Sequence, residues 1–117
     1  MAVQQDEYES VTSPSVISSL LNTMIESGGV TLCLATPDAR PEPVVLMEQH
    51  AGETLVMDLS SVDYLLSRLQ QGEQFFLRGQ SQGKVVRTPL LSLTETRRSG
   101  GRFLCCSNYP SSVEVLQ

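Results

Sequence analysis

The chain is poor in the groups from which most catalytic and ligand sites are built. It has a single histidine, His50, and three cysteines among 117 residues. A Ser-His-Asp or Cys-His arrangement would have to pass through His50. That residue stands beside the Ala51-Gly52 turn and reads as an exposed turn histidine instead. Cys105 and Cys106 are adjacent in a strand-like run, so their thiols point to opposite faces. They cannot chelate one metal ion from a regular strand, and no Cys-x-x-Cys spacing occurs. Small buried hydrophobes is their expected role. Neither Gly-x-Gly-x-x-Gly nor the P-loop pattern is found, which removes the common phosphate-cradling turns. Asp58, Asp63, Glu73 and Glu95 show no paired spacing that would single out an acid and a base. Asp58 and Asp63 read as capping and solvent-facing groups. No catalytic residue, cofactor site or metal site is expected, and the chain is read as a non-enzyme.

Long apolar runs are missing as well. No stretch is long enough to cross a membrane, and the start Met-Ala-Val-Gln-Gln-Asp-Glu has no signal-peptide pattern. The odd cysteine count suits a reducing compartment better than a disulfide scaffold, so a cytoplasmic domain is expected. Positive charge is scarce: the formal net charge is −5, which argues against a surface that binds nucleic acid by neutralising phosphates. Arg97, Arg98 and Arg102 form the only basic cluster. No internal repeat or low-complexity tract is present.

What the chain does have is β pattern. Hydrophobic residues make up 40% of it, enough for one compact domain with one core. The stretch Glu73 to Thr94 holds two runs of aromatic, β-branched and aliphatic residues around a polar connection containing Gly83. That is a β-hairpin, with glycine supplying the positive φ of a tight turn. Phe75, Leu77 and Gly79 share one face of its first arm, and Gln74, Phe76, Arg78 and Gln80 the other. Pro89 has no N–H, so the second arm lies at an edge or bulges there. A bulge would switch the parity beyond Val86, so that Leu90 no longer shares its face.

Residues 1–12 are polar and acidic and are expected to fray. Ser13-Pro14 opens a helix over 14–27, with Val16, Ile17, Leu20, Leu21, Met24 and Ile25 as its apolar stripe and Gly28-Gly29 as its stop. Strands follow at Val30 to Ala35, Val44 to Gln49 and Thr54 to Asp58, separated by Pro37, Pro41 and Pro43 and by Ala51-Gly52-Glu53. Ser60 or Ser61 caps a short helix through Val62, Leu65, Leu66 and Leu69, closed by Gly72. After the hairpin, Arg97 to Gly101 reads as a charged loop and Arg102 to Ser107 as a strand. About six strands with an N-terminal helix and one short inserted helix predict a mainly β, small antiparallel barrel.

The last stretch, Tyr109-Pro110-Ser111-Ser112-Val113-Glu114-Val115-Leu116-Gln117, resembles the domain junction of YcgR-type flagellar-brake proteins. There a final strand leads through a proline into a Gln-Arg-Arg sequence that opens a PilZ domain. The order of helix, strands and hairpin over 13–117 is similar to that family's N-terminal domain, called PilZN or YcgR-N. The resemblance implies a split-barrel fold and a bacterial, non-catalytic regulatory role in cyclic di-GMP signalling, with flagellar motility or another surface-lifestyle process as output. It implies a C-terminal PilZ domain of the same protein as partner, beyond Gln117, and flagellar motor proteins as further partners. Cyclic di-GMP is expected only with that adjacent domain, through the arginines of an RxxxR motif and a downstream DxSxxG. Two stretches here imitate those motifs. Arg98-Ser-Gly-Gly-Arg102 has the arginine spacing, and Asp58-Leu-Ser60-Ser-Val-Asp63 comes within one residue of the second. They stand in the wrong order, and the glycines between the arginines read as a turn. The surface expected to meet the PilZ domain comprises Tyr109, Pro110, Val113, Leu116 and Gln117, with Arg98 and Arg102 at its rim. The alternative is a stand-alone flavin-binding split barrel, for which only Arg78, Lys84 and Arg87 offer charge to a flavin phosphate.

Overall fold

The structure, a computed structural model, describes residues 7–116. It is mainly β, with two antiparallel sheets and a helix against them. Strand β1 (Tyr8–Val11) leads into helix α1 (Pro14–Ser27). Then come β2 (Thr31–Leu34), β3 (Glu42–Pro43), β4 (Val45–His50) and β5 (Thr54–Asp58). A 3-10 turn (Ser60–Leu65) and helix α2 (Leu66–Gln70) precede β6 (Phe75–Ser81) and β7 (Lys84–Arg87). The chain ends in β8 (Leu93–Ser99), β9 (Arg102–Asn108) and β10 (Val113–Leu116). One sheet runs β1-β10-β7-β6-β2-β3 and the other β4-β5-β9-β8.

The hairpin β6–β7 sits in the middle of the larger sheet. Its loop is Gln82-Gly83, with φ of 53° and 80°, the pair of positive angles that lets a two-residue turn follow the strand twist. Phe75, Leu77 and Gly79 face inward, as expected from strand alternation. At Pro89 the ladder breaks, and Thr88 repairs it. The Thr88 hydroxyl accepts the Leu77 N–H at 2.9 Å and donates to the Pro89 carbonyl at 2.9 Å. Pairing resumes where Phe75 meets Leu91. One extra residue has been inserted, so Leu91 is buried and Leu90 is exposed.

Helix α1 begins at the proline-marked position and stops at Gly28, whose N–H donates to the Met24 carbonyl at 3.1 Å. Ile17, Leu21 and Met24 are buried, Leu20 and Ile25 partly so, and Val16 is exposed. The helix packs on β4 and β6. Its approach to β6 is set by Gly79: a Cβ there would lie 2.9 Å from Met24 Cε. Glycine is the residue that lets the helix sit that close. Between the sheets, Leu32, Leu55, Met57, Leu59, Phe75 and Leu77 form the centre of one continuous core.

Several elements differ from the expected ones. Fraying does not extend through residue 12, because Tyr8–Val11 pair with β10 in register from Tyr8–Leu116 to Val11–Val113. The Arg87 guanidinium lies 3.7 Å from the Tyr8 ring centroid and Val11 packs on the core, which holds the strand in place. The expectation of a flexible start at residues 1–6 lies outside the described residues. The inserted helix is two pieces, a 3-10 turn that itself kinks at Val62 (φ −127°, ψ 35°) and α2, and no serine side chain caps either. Asp58 takes that part, accepting from the Ser60 N–H at 2.9 Å and the Ser60 hydroxyl at 2.5 Å. Arg97 and Arg98 belong to β8, not to a loop; only Gly100-Gly101 turn. An edge strand whose outward positions carry charge reads as a loop by composition.

Candidate interdomain surface

Two strands meet at Tyr109-Pro110, the connection from β9 to β10. Pro110 is buried and Tyr109 partly so. The tyrosine is held through Gln49 of β4. Its hydroxyl donates to Gln49 Oε1 at 2.5 Å, and Gln49 Nε2 donates to the Ser18 carbonyl at 2.6 Å and to Asn22 Oδ1 at 2.8 Å. One amide therefore ties the β9–β10 connection to two turns of α1. Burial pushes the Tyr109 phenol up from its ordinary pKa, and the Ser18 contact acts weakly the other way. The phenol stays a neutral hydrogen-bond donor at physiological pH.

Beside this contact opens a cavity of about 430 Å³, lined by Pro14, Ile17, Ala51, Gly52, Tyr109 and Pro110. Two prolines, an isoleucine and a tyrosine ring make an apolar pocket of ligand or side-chain size. It lies between the start of α1, the β4–β5 turn and the start of β10.

The expected surface residues do not form one patch. Tyr109 and Pro110 line the cavity together. Val113 is completely buried in the core. Leu116 is half-buried opposite Tyr8, and Gln117 lies outside the described residues. Arg102 opens β9, seven residues of strand away from Tyr109, and Arg98 of β8 pairs beside it with Phe103. At about 3.3 Å per residue, both lie roughly 20 Å from Tyr109. They are therefore not at the rim of the Tyr109 cavity. Pro14, Ile17 and Gln49 were not anticipated there. A bulge between Leu46 and Glu48 turns Gln49 toward α1. Simple alternation along β4 puts it on the opposite face, so parity carried no signal for it.

The remaining candidates resolve into structural roles. Arg98 lies over the Phe103 ring at 5.4 Å, and both Arg98 and Arg102 are exposed. The Ser60 hydroxyl keeps the Asp58 carboxyl below its ordinary pKa, and Arg102 adds a weak pull in the same direction. Ser60 Oγ in turn accepts the Phe103 N–H at 3.0 Å. The two motif-like stretches thus meet in space, with Asp58 and Ser60 committed to the backbone of the 3-10 turn and β9. His50 is exposed at the end of β4, 3.7 Å from Glu48. Cys105 faces the core and Cys106 the outer side, and burial pushes both thiols up. Among the described residues no group of three or more His, Cys, Asp or Glu side chains could hold a metal ion. No helix among them is long and apolar enough to cross a membrane. Arg78 and Arg87 are cross-strand neighbours, while Lys84, an odd number of residues from Arg87, points to the other face. The three do not converge on one phosphate position.

A mainly β domain of two antiparallel sheets, with one helix packed on both, is the class this geometry defines. Among solved structures the chain is similar to YcgR from Escherichia coli, in complex with c-di-GMP, with a TM-score of 0.70 at 14% sequence identity. The match covers 92% of this chain and 46% of that one, so the chain spans less than half the length of that neighbour. The likeness is one of fold. A scan of protein-family models finds no match, and neither does a search of curated proteins.

Proposed function

We propose that this chain is a non-catalytic regulatory domain of a c-di-GMP effector, responding to ligand held by an adjacent PilZ domain and acting on flagellar motility or a related output. The observation that carries the reading is the shared fold with a c-di-GMP-bound protein over nearly the whole of this chain. The apolar cavity at Tyr109 and Pro110 supports it. A neighbouring domain that inserts a side chain there would be coupled to α1 through Gln49. Ligand in that domain then acts by favouring one relative orientation of the two, by as much as its affinity for the two arrangements differs. Regulation, not chemistry, is what such a joint supports.

Solution scattering of the protein carrying both domains, with and without saturating c-di-GMP, tests this directly. The expected result is a change in the curve that is reduced by Pro110→Asp. An unchanged curve sinks the orientation mechanism. Calorimetry on this chain alone is expected to show no saturable c-di-GMP binding. Micromolar binding abolished by Arg98→Ala would instead make the chain a receptor in its own right.

A further inference from the structure

On the outer face of the larger sheet, the charges of β6 and β7 are arranged against the rule for a strand pair. Outward positions on β6 and β7 place Arg78 directly opposite Arg87. Like charges in opposed positions destabilise a strand pair. Arg87 is compensated: Glu114 of β10 lies 3.3 Å from it, and the guanidinium covers the Tyr8 ring. Arg78 is exposed and makes no side-chain hydrogen bond or ion pair among the described residues. The row Arg78–Arg87–Glu114 therefore has one positive charge too many, on a chain whose net charge is −5.

Apolar surface adjoins that charge. Phe76 and Val85 are only half-buried on this face. Leu90, turned outward by the bulge at Pro89, is 47% exposed. Phe76, Arg87, Pro89, Leu90 and Glu114 line a hollow of about 190 Å³. A small-molecule site encloses its ligand in a cleft of at least about 300 Å³. This hollow is smaller and open, with room for one side chain of something larger lying across the sheet.

We propose that this face docks an acidic amphipathic helix of a partner protein, with an apolar side chain in the Leu90 hollow and a carboxylate on Arg78. The carboxylate completes the charge row and removes the repulsion between the two arginines. The helix also covers the outer side of a sheet whose inner side already carries α1. This surface is distinct from the Tyr109 cavity and does not depend on the c-di-GMP reading.

An NMR titration tests the proposal with a helix-forming peptide of about fifteen residues, near the minimum for an isolated helix, bearing leucines at helical spacing flanked by glutamates. Its counterpart with lysines, flavin mononucleotide and inorganic phosphate are the other arms. The acidic peptide is expected to shift the amides of Phe76, Arg78, Val85, Arg87 and Leu90 saturably. Arg78→Gln should weaken it about tenfold or more while leaving the fold intact, and Leu90→Ser should weaken it as well. Equal binding of the lysine peptide, shifts mapping elsewhere, or an affinity indifferent to Arg78→Gln would overturn it. Flavin mononucleotide or phosphate moving these amides when the peptide does not would make the face a phosphate site instead.

Discussion

Strand β6 has two faces made by one pleated backbone, and they are governed by different physics. On the inner face Phe75, Leu77, Gly79 and Ser81 are buried, and α1 comes so near that a single added carbon at Gly79 would strike Met24. On the outer face Phe76 is half-buried, and Arg78 and Gln80 stand in solvent. Sterics decide the inner side, where packing density leaves no slack. Charge decides the outer side, where Arg78 opposes Arg87. Changes on the inner face should therefore be read in stability, and changes on the outer face in binding.

The helix that covers the inner face offers the largest test. Leu21 is completely buried, whereas Leu20 is only partly so. Leu21→Ala should lower the unfolding free energy by about 2–5 kcal/mol, and Leu20→Ala by clearly less. Chemical denaturation with an unchanged slope is the measurement; equal losses at the two positions would mean α1 is rotated relative to the structure. Next in size comes the strand itself. Gly79→Val should destabilise by about 1–3 kcal/mol through overpacking against Met24. Arg78→Val, one residue away, should be neutral or slightly stabilising because it removes a like-charge pair. If Gly79→Val were neutral as well, the contrast between the two faces would fail.

Much of this contrast is legible in the sequence, and the reason is periodicity. The hairpin around Gly83, the inward set Phe75, Leu77 and Gly79, and helix 14–27 all follow from apolar spacing and punctuation by glycine and proline. Short or charged strands escape that reading. Glu42–Pro43 is too short to show a period, and Leu93–Ser99 keeps its outward charges because it is an edge. Tyr8–Val11 is a strand only by virtue of β10, more than a hundred residues downstream. The candidate site suffers in the same way. Tyr109 and Pro110 stand out locally, but their partner Gln49 is turned toward them by a bulge. Such pairings depend on tertiary context that local pattern does not encode.

Tyr109 lies between the two regimes, packed on one side and hydrogen-bonded on the other. Tyr109→Phe removes the bond to Gln49 and keeps the ring, so the expected loss is about 0.5–1.5 kcal/mol. The same variant should leave peptide binding at the Arg78 face unchanged. A loss of binding there would show that the two surfaces are coupled, and the separation drawn between them would have to be abandoned.

The smallest effect concerns a group that is neither packed nor idle. Asp58 accepts two hydrogen bonds from Ser60, and these hold its carboxyl below the ordinary value of 3.8. A depressed folded-state pKa means that the ionised form is favoured by folding. The contribution is therefore fully present above the unfolded value, and it is lost as pH falls through the lowered folded value. Asp58→Asn keeps the shape and removes the titration. The wild type should melt higher than this variant near neutrality, and the gap should narrow progressively as the pH falls below the ordinary carboxyl value of 3.8. A gap that stays constant over that range would mean the carboxylate charge contributes nothing beyond hydrogen-bond geometry. Because the network joins the 3-10 turn to the start of β9 through Ser60 and Phe103, the narrowing should be accompanied by faster amide exchange at Ser60 and Phe103. Amides of β6, on the other sheet, should not respond, since nothing in its packed face titrates in this range.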